Sequence, residues 1–571
     1  MKTYWIFFLA LIISQSLYAQ QEQITVERDY LALPIDADGE KAPLLLLNGG
    51  DTVARLNVAL AADTADFIST IPVKALRGRQ LTVVNGRGLI GQSDTIPGTF
   101  YREQYRPAYH YSPRTGWVND PNGLVHYNGT WHLFYQYYPH ALSWDIMHWG
   151  HATSPDLVHW TERDPAIGQS TAGGAFSGGG VVDWKNTTGF QTGEHPPILL
   201  YYTAAAQHGF TPPAEKSATQ RLVYSVDGGQ SWQEYAGNPV IPSLTRNFED
   251  RDPKVFWYEP GQHWVLIMFA GKGTFSIHNS KNGLDWVEVS RVTMEGQREC
   301  PDLFEVQVDG KPGQSKWVFL SGWKEFYKYK NAHYVVGDFD GQTFTPEQEA
   351  QPVDEGIGNY STQTFSDAPE GRRIFVGWFT RQFKGAGYPG MPANGQFRVP
   401  WELELYERDG RYLLRRYPVK ELEQLRRDTF SAGIQQLTFG DTLALPLPGR
   451  AVDLELTLEP SVNGAFTLDV GGMPISYDAT TGQISAFGQT ARVGDFSRPL
   501  RLRILLDRTS LEVFVNGGET VLSGLLEPAQ MQGDVVSLAV TREVVRVRDF
   551  WMYGLRSYRE AAVEIGTVGE R

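Results

Sequence analysis

One cysteine, Cys300, stands among 571 residues. No disulfide can form within the chain, and no cysteine cluster can hold a metal ion. Long apolar runs are almost as scarce. After residues 5–13 (WIFFLALII) nothing is apolar enough to be read as a membrane-crossing helix, and that first run is itself too short to span a bilayer. Basic residues are outnumbered, with 51 Lys and Arg against 65 Asp and Glu. The net charge of −14 repels phosphate backbones, which argues against nucleic acid as a partner. No polybasic run or basic amphipathic helix suggests docking to an anionic membrane.

What is present is aromatic. Trp, Tyr and Phe make up 13% of the chain, a density that fits a large β-protein core and also fits a surface that stacks on sugar rings. The N-terminus reads as an export signal. Lys2 is the positive start, residues 5–13 the apolar stretch, and Leu17-Tyr18-Ala19 a small-residue cleavage site. Cleavage near Ala19 and a secreted or periplasmic destination are expected, with no membrane insertion afterwards.

Residues 20–100 hold short β-prone runs (LLLLNGG, VARLNVALA, LTVVNG) separated by Gly and Asn turns, and read as a small accessory β-domain. From 101 to 415 a pattern recurs. Five apolar strands (WHLFYQ, ILLYYTA, WVLIMFA, WVFLSG and RIFVGWF) follow one another at intervals of roughly 50–70 residues, each preceded by another short strand and a turn. Several are followed by a third signal: SPDLVHW, SVDGGQSW and SKNGLDW each place Ser before an Asp, Asn or Gly turn and close on Trp160, Trp232 or Trp286, and DFDGQTF is a weaker copy. Five repeats of about four strands predict a five-bladed β-propeller, because a lone sheet cannot bury both faces and blades must stack around an axis. A large β-sandwich is the alternative. Residues 416–432, around VKELEQLRRD, are predicted to form a linker helix. Beyond them, 433–571 alternates in polarity (AVDLELTLEP, PLRLRILLDR, SLEVFVNGG), which predicts a C-terminal β-sandwich.

Three acids stand just ahead of the first strand of a repeat: Asp120 in WVNDPNG, Asp252 in RDPKVF and Glu299 in RECPDLF. Proline follows each directly or one residue later and fits a strand entry, where no ladder donor is needed. Equivalent positions in successive blades point the same way, so the three carboxylates should converge at one end of the central channel. Three unrelated strand-cap acids are the bland alternative. Converging carboxylates suit glycosidic bond cleavage: one attacks the anomeric carbon, and a second begins protonated, its pKa raised by like charge nearby. A separation of about 5–5.5 Å gives retention of configuration and a wider gap gives inversion; the sequence does not supply that distance. His148 and His151, in HWGH, have a spacing that would suit metal ligands on a helix, but the segment reads as strand and turn, so they are taken as structural.

Together WVNDPNG, FSGGG (176–180), RDPKVF and RECPDLF resemble the signature blocks of glycoside hydrolase family 32, the invertase, inulinase and levanase family. SWDIMHWGHATSPDLVHW (143–160) resembles its extended Trp-His-Trp-Gly-His segment, and SLEVFVNGG (510–518) its C-terminal sandwich. The blocks occur in the family's order over 105–555. The resemblance implies a propeller followed by a sandwich, retaining chemistry, and no metal or organic cofactor. It implies Asp120 as nucleophile, Glu299 as general acid/base and Asp252 as transition-state stabiliser. It places Asn119, Gln136, Trp144, Phe176, Ser177 and Arg251 around the fructose, and leaves Cys300 as a small buried support for Glu299. Two departures stand out: Asn359 near a position where the family often has aspartate, and VPWELEL, where Trp401 replaces an arginine at what reads as the pocket rim.

The expected activity is hydrolysis of β-fructofuranosyl bonds in fructan or fructooligosaccharide, exo-acting, with sucrose as a further substrate. An endo-levanase, an invertase or a fructosyltransferase shares the first half-reaction. A non-catalytic carbohydrate-binding propeller and an arabinofuranoside hydrolase are readings of other kinds. Levan against inulin preference, oligomeric state and the role of residues 20–100 are not legible.

Overall fold

The computed structural model describes residues 21–559, apart from Arg87, Thr99, 210–216, 245–248, 325–330, 381–386 and 494–497. The export signal and its cleavage site at Ala19 lie outside the described residues. No described helix is long and apolar enough to cross a membrane.

The chain divides into two compact units, Met1–Pro97 and Gly98–Arg571. In the first, strands Gln21–Thr25, Gln80–Val84, Ala42–Asn48 and Asp51–Val58 form one sheet in that spatial order, and Phe67–Pro72, Tyr30–Ile35 and Gly91–Ser93 form another. Alternation buries Leu31, Leu33 and Ile35 on one strand and Leu44 and Leu46 on another.

The second unit begins with five antiparallel sheets whose innermost strands are Gly116–Tyr127, Gly174–Val182, Asp250–Tyr258, Gln297–Gln307 and Asn359–Thr364. Each innermost strand touches the next, and the fifth touches the first, so the ring closes as a five-bladed propeller. Ala393–Asn394, from the last blade's stretch of chain, pairs in parallel with Gly116 and Trp117 and ties the end of the wheel to its beginning.

The recurrent Ser and Asx signals have a common structural cause. Asp156 Oδ1 accepts the Val158 and His159 amides, Asp227 Oδ1 those of Gln230 and Ser231, and Asn282 Oδ1 those of Leu284 and Asp285. Ser154, Ser225 and Ser280 each donate to the Asx two residues later. In the weaker copy, Asp340 Oδ1 accepts the Gln342 and Thr343 amides. The same Asx turn thus closes an outer hairpin in four blades.

Glycines let the first blades meet. A Cβ on Gly180 in the second blade would lie 2.6 Å from the carbonyl oxygen of Gly123 in the first, and within the second blade one on Gly178 would lie 1.9 Å from the Tyr201 carbonyl oxygen.

The expected linker helix is not formed. Residues 420–425 make a single 3₁₀ segment, anchored by buried Leu422 and Leu425, and the chain then runs straight into strand Arg426–Ser431. Arg426 bonds Asp453 at 2.8 Å and also pairs with Glu455, which holds this stretch extended against the sheet despite its helical composition. That strand already pairs with Val544–Leu555 in one sheet of the C-terminal sandwich. The second sheet runs from Thr442–Pro446 to Gln489–Arg492, and a continuous apolar core, including Leu454, Phe466, Ile504 and Leu538, fills the space between them.

Propeller and sandwich share a buried polar seam. The fully buried His110 meets Asp507 through Nδ1 and Glu512 through Nε2, both at 2.8 Å. Glu512 also accepts Trp401 Nε1 at 2.8 Å, and the Arg398 guanidinium stacks 4.2 Å from the Trp401 ring. Trp401, read from sequence as a pocket-rim residue, is therefore a wholly buried part of this seam.

Candidate active site

All five innermost strands carry a β-bulge near the same end: between Val118 and Pro121, Phe176 and Gly178, Arg251 and Lys254, Arg298 and Asp302, and Tyr360 and Gln363. A bulge inserts an extra residue and re-aims its side chain. The bulged residues include Asp120, Ser177, Asp252, Glu299 and Ser361. Three non-glycine residues there adopt the left-handed region, Asp252 at φ 62°, Cys300 at 52° and Ser361 at 51°. Such strain concentrates at functional sites.

The bulges bring the three acids together. Asp120 Oδ2 accepts Ser177 Oγ at 2.8 Å, and Oδ1 accepts Asn119 Nδ2 at 3.0 Å. Asn119 is itself oriented by Trp117 Nε1, which donates to its Oδ1 at 2.8 Å. Cys300 Sγ lies 3.5 Å from Asp120 Oδ2 and 3.6 Å from Asp252 Oδ2, so this single buried atom bridges two of the acids. Asp252 is further held by the Cys300 amide at 3.0 Å, while its own amide donates to Thr203 Oγ1 at 3.0 Å. Arg251 joins the remaining pair: Nη2 is 2.5 Å from Glu299 Oε2, and Nε is 3.6 Å from Asp252 Oδ2. Tyr360 donates to Glu299 Oε1 at 2.6 Å.

The flanking residues form two walls. The Trp144 and Phe176 rings meet edge to face at 5.8 Å, and the His208 ring lies 5.3 Å from the first and 5.7 Å from the second. Gln136 sits behind Phe176 and donates Nε2 to the Ala175 carbonyl at 2.8 Å, which fixes the start of the second blade's inner strand. All nine residues singled out from sequence therefore fall in or directly behind one site. Tyr360, Ser361, Arg298, Thr203 and His208 complete it and were not anticipated. The signal for Tyr360 and Ser361 was the repeat itself, since NYST occupies in the fifth blade the place the acids occupy in others. His148 and His151 lie in the blade interior. His151 Nε2 is 3.1 Å from His132 Nδ1, and burial lowers the pKa of both ring systems, keeping them neutral. Among the described residues no group of three or more His, Cys, Asp or Glu side chains is arranged to hold a metal ion.

Proton affinities within the cluster are divided unevenly. Burial pushes Asp252 up to about 7; Arg251 opposes the shift, and the charges of Glu299 and Asp120 add to it. Asp120 is also raised, first by burial and then by Glu299, against the hydrogen bonds from Asn119 and Ser177. Glu299 goes the other way. Burial would raise it, but Arg251, then Arg298, and the Tyr360 hydroxyl hold it below the usual carboxylate range. The expectation that like charge would raise the general acid is not met, because Arg251 at 2.5 Å and Arg298 at 3.5 Å draw Glu299 toward its charged form. Burial and the surrounding carboxylates push the Cys300 thiol well above its ordinary range, so it stays protonated and can donate.

Comparison with known proteins bears on the family and the fold. Residues 110–416 match the model of the glycosyl hydrolases family 32 N-terminal domain, and residues 421–549 that of the family's C-terminal domain. The chain is 36% identical over 474 residues to a levanase of Bacillus subtilis, covering 76% of this chain and 68% of that one. It is 32% identical over 509 residues to an extracellular exo-inulinase of Aspergillus niger, covering 78% and 94%. The crystal structure of exo-inulinase from Aspergillus awamori superposes with a TM-score of 0.70 at 27% identity, covering 81% of this chain and all of that one. A fructofuranosidase from Schwanniomyces occidentalis, complexed with fructose, superposes with a TM-score of 0.71 at 25% identity over 81% of this chain.

Proposed function

The chain belongs to glycosyl hydrolase family 32 and is a glycosidase acting on β-fructofuranosides, and from that premise we propose that it is an exported, exo-acting fructan hydrolase working by retention. The observation that carries the assignment of roles is the bridging of Asp120 and Asp252 by Cys300, with Arg251 spanning Asp252 and Glu299. Three acids held this close suit one sugar ring.

In the first half-reaction Asp120 attacks the anomeric carbon of the terminal fructosyl unit. The glycosidic bond breaks, its electron pair goes to the leaving oxygen, and that oxygen takes a proton from Glu299. In the second, water attacks the fructosyl ester, gives its proton to the Glu299 carboxylate, and the Asp120 oxygen leaves. Asp252 accepts fructose hydroxyls and stabilises the oxocarbenium-like transition state.

Burial favours the protonated form of Asp252, whereas Arg251 and Arg298 favour the charged form of Glu299. Fructose hydroxyls donating to Asp252 favour its ionised form and release the proton. Formation of the ester at Asp120 then removes one negative charge from the cluster. Arg251, touching both Asp252 and Glu299, is placed to exchange one partner for the other as the proton passes.

Exo action is supported by the aromatic corner of Trp144, Phe176 and His208 beside the carboxylates, which suits a pocket closed on one side. A timed product profile on levan, inulin and sucrose tests the reading. Fructose as the sole early product from levan and inulin, with equal glucose and fructose from sucrose, supports it; early oligosaccharides point to endo action, and products longer than the substrate point to transfer.

A further inference from the structure

The innermost strands that carry the acids end at the other mouth of the propeller channel. From Asp252 to Trp257 the strand advances five residues, roughly 17 Å. At that far end lies a cavity of about 600 Å³, within the range of small-molecule sites, and none of the catalytic residues lines it.

Its walls are aromatic and held in place. Trp184 is 57% exposed, although its indole nitrogen donates to Asp367 Oδ1 at 2.9 Å, so the ring is presented to solvent at a fixed angle. The Tyr127 ring braces it at 5.7 Å. Trp257 donates to Glu259 at 2.6 Å and carries the Lys185 ammonium 4.7 Å from its ring centre. The floor is polar. The wholly buried Asp302 directs Oδ2 to the Thr364 amide, the Thr364 hydroxyl and Lys254 Nζ, the last at 3.3 Å, while its Oδ1 has no hydrogen-bond partner. That oxygen is closed off from solvent, so Asp302 anchors the floor through Thr364 and Lys254, and the exposed Glu259 carboxylate is the acceptor that faces the opening.

These features select a ligand class. Three basic and four acidic side chains line the cavity, which disfavours phosphates and gives no reason to prefer a cation strongly. Flat indole faces beside carboxylate acceptors match a neutral polyol with apolar ring faces, which is the chemistry of a sugar chain. A lipid would leave the charged floor unmatched. We propose that this cavity is a second, non-catalytic binding site for a β-fructan segment, stacking a fructosyl unit on Trp184, flanked by the wall that Trp257 and Lys185 form, and taking hydroxyls at the Glu259 carboxylate. The site rests on the fructanase reading for the identity of the sugar. It would hold polymer to the face of the propeller opposite the carboxylates and keep the enzyme on its substrate between cleavages.

The test counts binding sites in a chain that does not cut. Titration calorimetry of Asp120→Asn, which lacks the attacking carboxylate, with the tetrasaccharide nystose should give two sites, and Asp120→Asn combined with Trp184→Ala should give one. Trp184→Tyr, which keeps a ring, should restore the second. In the otherwise unaltered enzyme, Trp184→Ala should leave kcat/KM on sucrose within about twofold, while retardation in levan- or inulin-containing gels falls at least threefold. Trp184 is exposed, and a melting curve matching the parent's verifies folding. Trp257→Ala is the second variant and should act in the same direction. One site in the parent background, or equal retardation for the parent and both Trp variants, overturns the proposal. Absence of fructose release by the unaltered enzyme would instead overturn the functional reading, and the site count is measured independently of it.

Discussion

The Tyr360 hydroxyl donates to Glu299 Oε1 at 2.6 Å, from the fifth blade to the fourth, and it is one of the contacts that hold this carboxylate below its usual range. Removing a donor to the charged form raises the pKa of the acid. Tyr360→Phe should therefore move the alkaline limb of the kcat profile to higher pH, since that limb reports loss of the proton that Glu299 holds in the substrate complex. A charge-assisted bond contributes about 1.5–3 kcal/mol, so kcat/KM should fall by roughly ten- to a hundredfold. Steady-state rates across pH check both. An unmoved limb with reduced rate would assign Tyr360 a packing role only.

Asp252 trades stability for function. Its carboxyl titrates near 7 in the folded chain, against 3.8 for an unperturbed aspartate. Below both values the two states hold the proton equally. As pH rises from about 4 the unfolded chain ionises while the folded one retains its proton, so folding loses free energy progressively, and the loss is complete above about pH 7. Asp252→Asn removes that penalty. The variant should melt above the parent at pH 7.5, with the difference closing toward pH 4.5, while turnover drops by several orders of magnitude. Differential scanning calorimetry at the two pH values decides it, and a variant less stable than the parent at pH 7.5 would contradict the account.

His110 works in the opposite sense. Burial lowers its pKa, but the hydrogen bonds and charges of Asp507 and Glu512 outweigh burial and raise it to about 9. The stabilisation is complete below about pH 6.5 and is lost as pH climbs through 9. His110→Gln should lower the melting temperature at pH 6, because removing one member of a buried pair costs about 3–5 kcal/mol, and should flatten the decline of stability between pH 6.5 and 9. Thermal denaturation at a series of pH values shows it. A variant that keeps the parent's slope would place the titration elsewhere.

The sequence disclosed the architecture where one local device was repeated. Ser154 with Asp156, Ser225 with Asp227 and Ser280 with Asn282 build the same turn from the same residues, and with the five recurring apolar strands they make the blades countable from the sequence. Asp120, Asp252 and Glu299 were legible for a related reason, since each stands at a bulge beside proline. Tyr360 was not, because the fifth blade places no acid at that point. The depressed Glu299 carboxyl was hidden too: it depends on the direction in which Arg251 and Arg298 leave their strands, and the bulges set that direction. Residues 419–428 misled because their composition favours a helix, whereas the pairing of Arg426 with Asp453 and Glu455 rewards an extended chain. Trp401 misled because a substitution inside a catalytic signature was read as a change at the substrate, when its indole bonds Glu512 across the seam with the sandwich.

The central claim is that Asp120 becomes covalently bonded to fructose. Acid quenching of Glu299→Gln during turnover of a β-fructofuranoside with an activated leaving group, which departs without a proton, followed by proteolysis and peptide mass mapping, tests it directly. Slowed hydrolysis of the ester should leave one fructosyl unit on the peptide containing Asp120, and the same peptide should be unmodified when Asp120→Asn is added. A fructosyl unit on the Asp252 peptide, or product formed with no modified peptide at any quench time, would contradict the account.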